Sequence, residues 1–177
     1  MPIFDRANFH GLLLQGDICR GFEIPRWNLS QGVASVQANA NTPSNTPSDP
    51  LVLVCSHSCD IQPERKRTSG IILCEIRAVV RRESDTDASF RQYLTDVGRS
   101  SMPTIKGEET TYRYQTIFPI QFEDGLRVAN FSNMATMTPT DEVREALIEA
   151  KVVELTAEER SQLKTKIASY FGRPEEL

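Results

Sequence analysis

Two runs, Leu51-Val-Leu-Val54 and Ile71-Ile-Leu-Cys-Glu-Ile-Arg-Ala-Val-Val80, constrain the fold most. The first is apolar at every position, and the second opens the same way. A strand with one wet face alternates polar and apolar side chains, whereas a strand covered on both faces does not. Both runs therefore predict buried strands, joined by the polar stretch 62–70.

Around this pair the pattern places shorter strands. Residues 12–22 read as a strand interrupted at Gly16-Asp17, and 33–38 as a further one. Residues 111–120 and 126–131 read as two strands joined by the turn signal Glu123-Asp124-Gly125. Between 39 and 50 the chain carries three prolines and almost no apolar side chain, so it is read as a mobile loop that cannot join a core.

Three stretches have helical spacing. Phe90, Tyr93, Leu94 and Val97 form one apolar stripe that Gly98 stops. Thr138-Pro139 reads as a cap and first helical residue ahead of Val143, Ala146, Leu147 and Ala150. Thr156 and Glu159 form a capping box ahead of an apolar face of Leu163, Ile167, Tyr170 and Phe171. Strands with helices gathered late in the chain predict an α+β protein, and 177 residues suit one domain spanning 1–177.

Charge and cysteine content narrow the function. A net charge of -4 argues against a general nucleic-acid coat, so contact with a polyanion needs a local basic patch. No stretch reaches the ~18 apolar residues that span a bilayer, and no signal-peptide pattern is present, so a cytoplasmic location without membrane contact is expected. The four cysteines are then thiols or metal ligands rather than a disulfide frame.

The polar cluster that ends the first buried strand, Cys55-Ser56-His57-Ser58-Cys59-Asp60, is the candidate site. If the strand continued extended, Cys55, His57 and Cys59 would share one face, and Ser56, Ser58 and Asp60 the other. The first trio has zinc-ligand residue types, with Cys74 or Cys19 as a fourth, but not the usual ligand spacing, and no metal or other cofactor is assigned. A thiol nucleophile at Cys59 is disfavoured, because the neighbouring Asp60 raises a thiol's pKa. The second trio either caps the following turn or contacts a ligand.

The order of the pieces resembles the MazF/PemK toxin family of small barrels. Gly16-Asp17-Ile18 opens a strand, Leu51-Val-Leu-Val54 leads to a serine-bearing turn, and Arg127-Val-Ala-Asn-Phe-Ser-Asn-Met-Ala-Thr-Met137 precedes a short helix and a terminal amphipathic helix. Ser56-His57-Ser58-Cys59-Asp60-Ile61 and Tyr170-Phe171-Gly172-Arg173-Pro174 are similar to motifs of uncharacterised prokaryotic proteins. The resemblance implies a strongly bent antiparallel barrel with helices packed on it, a homodimer, single-stranded RNA as ligand and an antitoxin as protein partner. Metal-independent RNA cleavage needs a base, an acid and a cation near the phosphate. His57 and Asp60 are the candidate catalytic groups, either of which can serve as the base, and Arg77 the cation, with Arg20, Arg26 and Arg113 as alternatives. Asp17, Arg26, Ser56, Ser58, Cys59 and Arg65 are candidate binding residues. Asp49 stands where the family carries an arginine before the proline, which favours the alternative of a non-catalytic interaction module in a bacterial stress or phage-defence system.

Overall fold

The structure, a computed structural model, describes residues 11–22, 24, 50–61, 70–99 and 116–172. Its elements in chain order are β1 (Asp17–Arg20), β2 (Leu51–Val54), α1 (Ser58–Ile61), β3 (Ile71–Ala78), α2 (Asp87–Arg99) and β4 (Ile117–Phe122). Then follow β5 (Gly125–Met137), α3 (Asp141–Glu149), β6 (Lys151–Glu154) and α4 (Ala157–Phe171). The strands hydrogen-bond in the order β4-β5-β3-β2-β1-β6. The α+β class, the antiparallel pairing and the C-terminal helix agree with the sequence reading. Among the described residues no helix is long and apolar enough to cross a membrane. The stretch 33–38 and the loop 39–50 apart from its last residue, together with Arg26 and Arg65, lie outside the described residues.

The chain clusters into two compact units. The first comprises Met1–Glu75 and Asn133–Thr156. β1 is its organising strand, pairing antiparallel with β2 through Cys19 and Val52, and with β6 through Ile18 and Val153. All four residues of β2 are buried, as its apolar run requires. Cys19, Val52, Val54, Ile61, Ile71, Leu73 and Leu147 build one core, with Val143 and Ile148 of α3 packed against it. Each large aliphatic side chain so buried contributes roughly 1.5–3 kcal/mol. The α3 cap differs from the sequence reading. Thr140, not Thr138, is extended and accepts the Val143 N–H, so the helix starts at Asp141 and Pro139 lies before the cap.

The second unit comprises Ile76–Ser132 and Ala157–Leu177. Its β4–β5 hairpin turns at Glu123-Asp124, with Phe122 opposite Gly125. The Phe131 N–H donates to the Thr116 carbonyl at 2.8 Å, which sets the alternation of the ladder. Pro119 then faces Val128 at a non-hydrogen-bonded position, so the N–H it lacks would have pointed away from β5, along the open edge. Phe118, Ile120, Ala129, Phe131, Val97 and Leu163 are buried here. Tyr170 of α4 lies 5.6 Å from the Phe131 ring. The face of α4 is rotated from the expected one: Lys166 is 2% exposed, whereas Phe171 is 59% exposed. Leu163, Lys166, Ile167 and Tyr170 keep the helical spacing, and Phe171, one residue beyond Tyr170, falls off that stripe. Gly98 lies inside α2 rather than ending it.

Candidate functional site

The site belongs to the first unit, where the turn 14–17 meets the end of β2. Gly16 has a φ of 91°, a left-handed value that suits glycine. It lets the chain reverse tightly, with the Asp17 N–H donating to the Leu14 carbonyl at 3.1 Å. The turn then donates three times to the neighbouring segment. The Gly16 N–H reaches the Val54 carbonyl at 2.8 Å. The Gln15 side-chain amide reaches the Cys55 carbonyl at 2.6 Å, and the Gln15 backbone N–H reaches Ser58 Oγ at 3.0 Å.

On its other side the same strand end is tied to β3. The Cys55 N–H donates to the Ile72 carbonyl at 2.8 Å. The Ser56 hydroxyl donates to the Gly70 carbonyl at 3.1 Å and accepts the Ile72 N–H at 2.7 Å. Ser56 is buried, so this hydroxyl takes the place of a ladder bond as the strand ends. The Asp60 N–H then closes back on the His57 carbonyl at 2.8 Å and opens α1.

This path corrects the period-two reading of the cluster. Extended backbone stops at Val54, so residues 55–60 do not sort onto two faces. Cys55 and Ser56 are buried, His57 is exposed, and Ser58 and Asp60 are half-buried. Among the described residues no hydrogen-bond or ion-pair partner meets the Asp60 carboxylate. Arg77 is exposed on β3 in the second unit. The Cys59 side chain lies outside what the structure describes. Among the described residues no group of three or more His, Cys, Asp and Glu side chains is placed to hold a metal ion.

Asp17 is fully buried and belongs to a charge cluster. Its Oδ2 accepts the Leu14 N–H at 2.7 Å and lies 2.9 Å from the Lys151 ammonium. That ammonium also donates to Glu154 Oε1 at 2.8 Å and to the Leu12 carbonyl at 2.9 Å. Its three protons thus meet three acceptors. Burial raises the Asp17 carboxyl above its usual 3.8; the Leu14 amide and Lys151 oppose the rise, and the charge of Glu154 adds to it. Burial, with the nearby Asp17 charge, pushes the Cys19 thiol up to about 12. Sequence reasoning missed Gln15, Lys151 and Glu154. The one trace was an acid–base pair three residues apart around Val152-Val153, which reads as ordinary surface charge.

No family model matches the chain, and neither a curated protein nor a solved structure matches it.

Electrostatics then limit the chemistry. Arg20, Arg144 and Lys151 are the cations among the described residues of this unit. Lys151 is spent in the cluster, and Arg144 holds Asp141 at 2.6 Å and the Ile61 carbonyl at 2.7 Å. The exposed side of α3 carries Asp141, Glu142, Glu145 and Glu149. This exposed side of α3 is thus a local acidic patch, which favours cationic groups over phosphate.

Proposed function

We propose that this protein is a non-catalytic interaction module on a MazF/PemK-like sheet, and that its strand end at 57–61 receives a cationic group of a protein partner. The observation that carries this reading is the half-buried Asp60 carboxylate, which has no partner among the described residues and rests on a frame of short backbone bonds. A fixed carboxylate of this kind suits a guanidinium, whose paired N–H donors match its two oxygens. The acidic side of α3 strengthens the same preference. Asp17 and Ser56, two of the candidate binding residues, are occupied in holding the turn and the strand end together.

The test is a titration of the isotope-labelled protein with N-acetylarginine amide, followed by NMR. Shifts confined to the amides of 57–61 support the reading. Shifts spread over the surface count against it.

A second reading, a single-stranded RNA-binding protein or metal-independent endoribonuclease of the toxin type, is favoured by one feature. His57 is exposed and shares a tight turn with Asp60, so a base and an acid could meet one ligand. Incubation with single-stranded RNA in chelator decides it. Cleavage that vanishes in both His57→Ala and Asp60→Asn supports the enzyme, and intact, unbound RNA rejects it.

A further inference from the structure

The charge cluster and the strand-end frame share one stretch of chain. Lys151 holds that stretch at both ends, through the Leu12 carbonyl at 2.9 Å and the Asp17 carboxylate at 2.9 Å. Between those anchors lies Gln15, whose backbone and side chain hold Ser58 and the Cys55 carbonyl at 3.0 and 2.6 Å. Asp17 is coupled to Gln15 through the Leu14 N–H at 2.7 Å.

We propose that Lys151 is a positioning residue for the strand-end surface. Its ammonium fixes residues 12–17, and these hold the segment Cys55–Ser58 in place through Gln15. The coupling runs through bonded groups, buried or part-buried, with defined donors and acceptors, so it has a physical carrier. Cys19 and Glu154 are the other titratable groups around Asp17, and both lie on the strands that carry the cluster. Without the ammonium, Asp17 and Glu154 are two buried like charges, and the stretch 12–17 loses the centre that gathers it.

Amide hydrogen exchange on the full chain, with no partner added, tests this separately from the function proposed above. In Lys151→Met the Gln15 amide gains about tenfold or more in exchange rate over and above any change at the Cys55 amide, which is bonded to Ile72 on the far side of the strand. Asp17→Asn, which keeps the shape and removes the charge, gives a smaller change in the same direction and serves if Lys151→Met does not fold. Ser58→Ala, which removes the acceptor itself, marks the full effect at Gln15. If the Gln15 and Cys55 amides change together, or neither changes, Lys151 stabilises the unit without positioning the surface and the proposal fails.

Discussion

The ammonium of Lys151 stands 2.9 Å from the Asp17 carboxylate, with side chains only 1% and 0% exposed. A buried pair of this kind gives little net stability over an apolar replacement, but breaking it leaves an uncompensated charge. Lys151→Met is expected to cost on the order of 3–5 kcal/mol, read as a lower urea midpoint. Adding Asp17→Asn and Glu154→Gln to that variant should recover part of the loss, because no lone charge then stays buried.

The same carboxyl sets a sign for pH dependence. Its value in the folded protein lies above the 3.8 of the unfolded chain, because burial outweighs the Leu14 amide and Lys151. The folded state therefore holds this proton more tightly. The contribution is present in full below 3.8 and is lost as pH rises through the folded value. Urea melts from about pH 3 to about pH 7 should show the wild type losing stability relative to Asp17→Asn as pH rises. A relative gain over that range has the wrong sign.

Ser56 and His57 are neighbours with opposite expectations. Ser56→Ala strips an acceptor from Ile72 and a donor from Gly70, for a loss of about 1–3 kcal/mol. His57→Ala, at an exposed position, should change stability by no more than about 0.5 kcal/mol. Thermal melts of the two variants check both statements.

Gly70 cannot carry a side chain. Its φ is 102°, and a Cβ there would overlap Thr136 Cγ2. Gly70→Ala should cost roughly 1–3 kcal/mol for the backbone alone, and more from the overlap. In a Thr136→Ser background, which lacks that methyl group, most of the overlap part of the loss should disappear, leaving the backbone part and the close approach of the Met137 carbonyl oxygen.

The apolar run at 51–54 was legible because burial on both faces erases alternation, and the hairpin at 123–125 because its turn residues announce it. The run at 71–80 was legible as a strand, but only its first half is buried, with Arg77, Ala78 and Val80 exposed. The start of α4 directly after Thr156 was legible as well. β6 was not, because Lys151 and Glu154 look like surface charge until β1 supplies Asp17 beside them. At the site, the residue types of 55–60 drew attention to that segment. Their arrangement was hidden, because local hydrogen bonds from Gln15, Gly16 and Ser56 end the strand where pattern alone would extend it.

The most direct measurement is the difference between two NMR titrations with the arginine derivative, one on the wild type and one on Asp60→Asn. Saturating shifts at residues 57–61 in the wild type, absent from the variant, are the predicted result. Equal shifts in both proteins, or shifts centred on Glu142, Glu145 and Glu149 with none at the strand end, would contradict the assignment of this surface.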